Sequence, residues 1–305
     1  MNRTAYTAYA AFALLGVIWG SNFIFMKWAV AWISPSQIVV LRVLFGFLPI
    51  LIFALASRSL SWRHLRHVHH FLVMALLATA IYYFAFAKGT ALLLSSVAGM
   101  LSGAIPMFTF VTAWLFLREE PLNRLTIAGT LLGFLGVLLI AQPWSGDIGQ
   151  VNAAGVLYMI AGSLSVGCSF VYARKFISPL GLSPLTLTTY QIGLALLVLL
   201  VTTDLRGIGQ VFADQRASLG LVLGLGLCGT GIAYILYYFI VDRLGAIAAS
   251  GVTYIPPVVA LLIGAVWVGE AVRPLHVLAM IAILLGVGLL QSGRSGRKAE
   301  LRPAK

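Results

Sequence analysis

Any chemistry in this chain rests on a few polar side chains set in apolar sequence. Asn22 and Arg42 stand inside long hydrophobic runs, Lys27 and Lys88 stand toward the ends of theirs, and Tyr82, Tyr83 and Tyr234 are similarly surrounded. A tyrosine so placed offers a ring for stacking and a hydroxyl for hydrogen bonding. A cation there is costly unless it is paired or wetted. Ser102 and Thr253 add hydroxyls close before Pro106 and Pro256. These groups can hold a solute but cannot easily break its bonds. All eight Asp and Glu (Glu119, Glu120, Asp147, Asp204, Asp214, Asp242, Glu270, Glu300) and all five His (His64, His67, His69, His70, His276) fall at the ends of apolar runs, in connections or in the tail. Nucleophile, base and metal ligands therefore do not converge at depth, as an active site requires. Cys168 and Cys228 have neither metal spacing nor a disulfide framework and read as small packing residues. No catalytic residue, metal or cofactor is expected.

The elements that position these residues follow from composition. With 61% hydrophobic residues, 9% charged residues and a mean hydropathy of +1.01, the chain is too apolar for a soluble surface. About 20 apolar residues cross a hydrocarbon core of about 30 Å. Ten such stretches are readable, near residues 8–31, 37–56, 70–88, 92–117, 124–142, 153–174, 184–203, 218–240, 245–268 and 275–291, numbered here as spans 1 to 10. The fold expected is an all-α integral membrane protein with short connections. The first stretch is too long for a cleaved signal and carries Trp19, Asn22 and Lys27, so it is expected to stay. With both termini cytoplasmic, most Lys and Arg outside the spans fall on the inner side, against Lys27, Lys88, Arg206, Arg216 and Arg273 on the outer side. The net charge of +12 thus reads as positive-inside bias plus a basic tail for anionic lipid headgroups, not as a nucleic-acid footprint.

The two halves of the chain match. Ala98 pairs with Ala248, Pro106 with Pro256, Glu120 with Glu270, and Gly136-Val137 with Gly286-Val287. Upstream, Arg42 faces Gln191, and Gly20-Ser21-Asn22-Phe23 with Lys27 faces Gly167-Cys168-Ser169-Phe170 with Arg174. We read residues 1–145 as a first five-helix repeat, 146–293 as a second, and 294–305 as a basic cytoplasmic tail. Five is odd, so the second repeat enters the bilayer inverted. Inverted repeats are how many secondary transporters place two alternating gates around one midplane site.

Spans 4 and 9 carry small residues (Ser95, Ser96, Gly99, Ser102, Gly103 and Gly245, Ala246, Ala249, Gly251) leading into Pro106 and Pro256. A proline inside a helix frees a carbonyl, which a membrane tolerates only against protein or water. The two prolines are therefore expected to act as hinges or cavity walls. Glycines four apart in spans 5 and 10 and elsewhere read as close helix packing. Tyr82 should lie near the middle of span 3, whereas Tyr237, Tyr238, Trp28, Trp32, Trp62, Trp144 and Trp267 sit near span ends, where an aromatic belt is expected. Lys27 and Lys88 either snorkel to the headgroups or attract an anionic group on the path. Arg42 is expected in a hydrated pocket or against backbone carbonyls. Glu120 and Glu270 either favour the dipole of the helix that follows each or latch gates on opposite faces.

Taken in order, Trp19-Gly20-Ser21-Asn22-Phe23, Lys27, Arg42, then Ala98, Pro106, Glu120, Gly129 and Gly136-Val137, and again Ala248, Pro256, Glu270 and Gly286-Val287, resemble the EamA-type drug/metabolite transporters, ten-span carriers made of two EamA repeats. The second copy departs in having Val166-Gly167 for Trp19-Gly20 and Gln191 for Arg42. The resemblance implies alternating access around a cavity lined mainly by spans 3, 4, 8 and 9. It points to a bacterial inner-membrane exporter of neutral or aromatic amino acids, with Asn22, Arg42, Tyr82, Tyr83, Ser102, Tyr234 and Thr253 lining the cavity. No intramembrane acid or histidine relay is visible, which favours an uncoupled facilitator over proton exchange. The alternatives are a multidrug or nucleotide-sugar exporter of the same superfamily, and an intramembrane enzyme. The partners expected are the lipid bilayer and a small-molecule substrate.

Overall fold

The structure is a computed structural model. It describes residues 3–117, 122–142, 151–237, 239, 240, 243 and 251–300, with side chains from 6 to 293 within those ranges. The expectations for Glu120, Trp144, Tyr238 and residues 245, 246 and 249 lie outside the described residues. Among the described residues, ten helices are long and apolar enough to cross a membrane: spans 1 (Tyr6–Val30), 2 (Pro35–Ala56), 3 (Trp62–Leu92), 4 (Ser95–Leu117), 5 (Arg124–Ala141), 6 (Ala153–Leu180), 7 (Pro184–Thr202), 8 (Gln215–Tyr237), 9 (Gly251–Val268) and 10 (Pro274–Gly293). Large apolar side chains cover their outer surfaces; Val201 is 87% exposed and Val266 82%, a coat that suits lipid and not water.

Local chemistry sets the span boundaries. Ser34 accepts from the Gln37 amide in a reciprocal capping box, with Pro35 opening span 2. Ser183 and Pro184 open span 7 in a similar way. Asn123 caps span 5 and also donates to the Gly293 carbonyl at the end of span 10 (2.8 Å). Such side chains supply partners that water would supply to a soluble helix end. Span 3 starts earlier than the hydropathy reading placed it, because a 3₁₀ turn from Trp62 to His67 leads straight into the helix. This corrects the expectation for four histidines: His64, His67, His69 and His70 belong to the first turns of span 3. Likewise His276 is buried in the first turn of span 10.

Spans 3, 4, 6, 8 and 9 are not continuous α-helices; span 6 turns π-helical over Ala173–Ile177. Span 3 contains a π turn at Leu76–Ala80, and span 8 is π-helical over Gly220–Ile232. Span 4 breaks at Gly103 and Ala104 into Ser95–Ser102 and Ile105–Leu117. Span 9 opens with a 3₁₀ turn, Gly251–Tyr254, before its α segment Ile255–Leu262. Pro106 and Pro256 are each the second residue of their α segment, where a missing N–H is tolerated. In both copies the proline stands at the junction between two helical pieces.

The packing has a two-fold pattern. Span 3 packs on span 6 as span 8 packs on span 1; the second half of span 4 lies on span 6 as span 9 lies on span 1; and span 2 meets span 8 as span 7 meets span 3. Spans 2 and 7, 4 and 9, and 5 and 10 pair with each other. Exchanging spans 1–5 for spans 6–10 maps this set of contacts onto itself. Spans 5 and 10 meet most intimately. A Cβ on Gly129 would fall on the Gly286 carbonyl and the Leu290 amide, and one on Gly286 would fall on the Gly129 carbonyl and the Gly133 backbone.

No side-chain rotation relieves an overlap with backbone. Gly129→Ala is expected to lower stability by about 1–3 kcal/mol, the usual cost of overpacking, seen as a lower melting temperature of the purified protein in detergent. Gly288→Ala, where a Cβ meets open space, should leave that temperature nearly unchanged.

Candidate functional site

The π segments of spans 3 and 8 carry the polar centre of the bundle. In span 8, the Thr230 hydroxyl donates to the Leu225 carbonyl five residues back (2.9 Å) and accepts from Arg42 Nε of span 2 (3.1 Å). In span 3, the Thr79 hydroxyl accepts from Gln191 Nε2 of span 7 (2.9 Å), and Ser165 of span 6 donates to the Leu77 carbonyl of the same π turn (2.8 Å). Arg42 and Gln191 each follow the first residue of their span by seven positions, about 10 Å along the axis. The same contact is therefore made twice, with a guanidinium in one copy and a neutral amide in the other. Arg42, Gln191, Thr79 and Thr230 are all buried.

Around Arg42 the geometry is specific. Its guanidinium lies over the face of the Tyr83 ring, 3.8 Å from the centroid. With the Asn22 amide oriented so that its nitrogen donates to the Ile18 carbonyl (3.2 Å), its oxygen accepts from Arg42 Nη2 (3.3 Å). Tyr83 continues into an aromatic ladder: Tyr82 is 5.1 Å away between centroids, Phe86 lies edge-on to Tyr82 at 4.6 Å, and Phe23 follows Phe86 at 6.1 Å. Tyr82 lies ten residues before the end of span 3 at Leu92, about 15 Å along the axis, half the thickness of a hydrocarbon core of about 30 Å. Half-buried, it keeps part of its surface accessible.

A second constellation stands at the corner between spans 3 and 4. The chain leaves span 3 through an extended residue, Leu93, and re-enters helix at Ser95, which would expose carbonyls on one side and amides on the other. Lys27 Nζ donates to the carbonyls of Thr90, Ala91 and Leu93 at 3.2, 3.4 and 2.7 Å. The Glu270 carboxylate accepts from the Ser95 amide and hydroxyl at 2.9 and 2.6 Å and from the Ser96 amide at 2.9 Å. Each charge faces the helix end whose dipole it complements. Gly269, at φ 74°, reverses the chain after span 9 so that Glu270 can turn back, a left-handed cap that glycine adopts without strain.

Of the residues singled out in the sequence, the structure brings Asn22, Arg42, Tyr82 and Tyr83 into one cluster. Lys27 is tied to the span 3 carbonyls, which overturns the snorkelling reading. Glu270 caps span 4 of the other repeat rather than the span that follows it, because Gly269 aims it backward. Lys88 is half-buried and has no hydrogen bond or ion pair among the described residues. The Ser102 hydroxyl is used within its own helix, on the Gly99 carbonyl at 2.6 Å, while Tyr234 and Thr253 are half-buried. Tyr237 departs from the belt expectation, packing against Trp19 with ring centroids 6.1 Å apart. Trp62 and Trp267 are exposed as the belt reading requires. Thr79 and Thr230 were not singled out. The signal was the ordered match Thr79, Ile81, Tyr83 with Thr230, Ile232, Tyr234.

The EamA-like transporter family matches residues 7–142 and again residues 153–291. The uncharacterized transporter YcxC of Bacillus subtilis (strain 168) is 29% identical over 291 residues, covering 92% of this chain and 91% of its own. The uncharacterized transporter YdfC of the same organism is 26% identical over 272 residues, or 88% and 86%. The uncharacterized inner membrane transporter YedA of Escherichia coli (strain K12) is 25% identical over 292 residues, or 93% and 90%. A crystal structure of a protein 19% identical to this one superimposes with a TM-score of 0.64 over 96% of this chain and 99% of that one, which shows a shared fold.

The corner also yields a pH dependence. Burial pushes the Glu270 carboxyl up, but hydrogen bonds from Ser95 and Ser96 outweigh it and hold the group below the usual carboxylate range. Its capping contribution is therefore complete above the unfolded value of about 4.3 and is lost as pH falls through the lower folded value. Capping by one side chain is worth about 1 kcal/mol. Between pH 6 and pH 3 the melting temperature should fall more in the native protein than in Glu270→Gln, which starts lower at pH 6.

Proposed function

This chain belongs to the EamA-like transporter family, and from that footing we propose that it exports neutral, chiefly aromatic, amino acids and related metabolites down their own gradient by alternating access. The observation that carries this reading is the cluster at midplane depth. The half-buried ring of Tyr82, backed by Tyr83 and Phe86, can take a planar apolar body, beside the guanidinium of Arg42, which Asn22 and Thr230 hold in place. Placing both termini inside by the distribution of Lys and Arg puts the corner of Lys27 and Glu270 on the outer face of a bacterial inner membrane. The relative YedA, described as an inner membrane transporter, supports that location.

In this proposal the repeats are residues 1–145 and 146–293, and the tail 294–305 rests against lipid headgroups. The clamp made by Lys27 and Glu270 joins the end of span 9 to the corner of spans 3 and 4, so it holds the outer side shut. By their sequence match to Glu270 and Lys27, Glu120 and Arg174 take the corresponding inner role in this proposal. Pro106 and Pro256, at junctions between helical pieces, serve as the hinges. That the described spans carry no Asp or Glu supports a carrier driven by its substrate's own gradient over one with an acidic proton relay.

Uptake of labelled tryptophan, threonine and glutamate into proteoliposomes, with and without an imposed pH gradient, tests this. Saturable, equilibrating tryptophan flux indifferent to the gradient is expected, with threonine slower and glutamate excluded. Accumulation that collapses with the gradient would overturn the uncoupled mechanism, and absence of tryptophan flux would overturn the substrate. Tyr82→Ala should raise the KM for tryptophan about tenfold, the loss of a stacking contact worth about 1 kcal/mol or slightly more, and change that for threonine much less.

A further inference from the structure

Arg42 is 5% exposed and has no ion pair among the described residues. Removing an uncompensated cation from water is expensive, so its contacts need accounting. Nε is satisfied by Thr230 and one hydrogen of Nη2 by Asn22. The Tyr83 ring face, at 3.8 Å, stabilises the charge and fixes the plane of the guanidinium but supplies no counter-ion. Nη1 has no hydrogen-bond partner among the described residues, which leaves the outer edge of the fork, where a carboxylate binds with two parallel hydrogen bonds, without a protein acceptor.

The second copy shows what the fold alone requires at this place. Gln191 occupies the corresponding position, is equally buried, and makes the corresponding hydrogen bond to Thr79. A neutral amide therefore does the helix-joining work that Arg42 does on Thr230. The positive charge exceeds what the packing of spans 2 and 8 needs.

We infer that Arg42 is the docking point for the carboxylate of the transported solute, with its guanidinium held in plane by Tyr83, Asn22 and Thr230. This rests on the reading of the chain as a carrier of small solutes, and it narrows the cargo to molecules bearing a carboxylate next to an apolar or aromatic body. A single guanidinium suits a single negative charge. Lys27 is engaged with three carbonyls and so is not free to pair with a second negative charge. The ordered contacts on Nε and Nη2 leave the fork prearranged, so docking costs little reorganisation.

The test uses the purified full-length protein in detergent at pH 7, with thermal stabilisation by indole-3-propionate, L-tryptophan and tryptamine as the readout. The two carboxylates should stabilise it with half-saturating concentrations at least tenfold below that of the amine. Arg42→Gln, which copies the residue of the other repeat, should lose that preference and yet melt, without ligand, at or above the native temperature, because an uncompensated buried charge has been removed. Arg42→Lys should recover part of the preference. A fall in the unliganded melting temperature of Arg42→Gln with the preference intact, failure of that variant to fold, equal stabilisation by acid and amine, or no stabilisation by any of the three would each overturn the inference. The outcome is separable from that of the transport proposal. Carboxylate binding through Arg42 without tryptophan flux leaves the site standing and removes amino-acid export. Tryptophan flux with unchanged KM in Arg42→Gln does the reverse.

Discussion

A bilayer offers no water to a backbone amide or carbonyl that lacks a partner, so every interruption of a helix at depth must be satisfied from within the protein. The arrangement of this molecule follows from that constraint. Where span 3 ends and span 4 begins, a lysine takes the carbonyls and a glutamate takes the amides. Where span 3 is underwound into a π turn, a serine from span 6 reaches a carbonyl, and where span 8 is, a threonine folds back on its own helix. Pro106 and Pro256 sit at first-turn positions, where their missing donor leaves nothing unpaired. Polar side chains in so apolar a chain are used chiefly as partners for backbone.

The interruptions fall in spans 3, 4, 6, 8 and 9, while spans 5 and 10 press together through glycines without a break. Regular helices packed backbone to backbone form a stiff base. Segmented helices with side-chain repairs can exchange one set of partners for another, since a hydrogen bond from a side chain can be remade elsewhere at little net cost. The polar centre lies in the segmented part, where Thr79 and Thr230 each receive a donor from the opposite repeat. The repeats share architecture and differ in charge, so the centre is symmetric in shape and polarised in potential.

The spans and the internal repeat were legible because both depend on composition and order along the chain. Span boundaries read from hydropathy came within a few residues, except where an amphipathic turn such as Trp62–His67 extends a helix past its apolar core. Arg42, Asn22, Tyr82 and Tyr83 were legible as a group because each is anomalous in its surroundings. The partners of Lys27 and Glu270 were not, because they are backbone groups, which are the same at every residue and so leave no mark in a sequence. For Glu270 the nearest helix in sequence was span 10, and the turn at Gly269 sends the carboxylate the other way. The π turns escaped for a related reason: their hydrogen-bond register depends on tertiary partners such as Gln191 and Ser165 that lie far along the chain.

The corner between spans 3 and 4 also bears on how the protein is made. The Ser95 amide and its acceptor on Glu270 are 175 residues apart. At ordinary rates of synthesis, about 5–20 residues per second, the start of span 4 leaves the ribosome roughly 10 to 35 s before its cap exists. During that interval the first half is in the membrane with an incomplete helix end, which must stay near the wet interface or be shielded by the insertion machinery. Lys27 is synthesised before the carbonyls it will bind and the carboxylate long after the amides, so the corner closes in two stages, the second only when span 9 arrives. Membrane insertion of the first five spans and completion of their fold are thus distinct events, and a residue that follows span 9 finishes the first half.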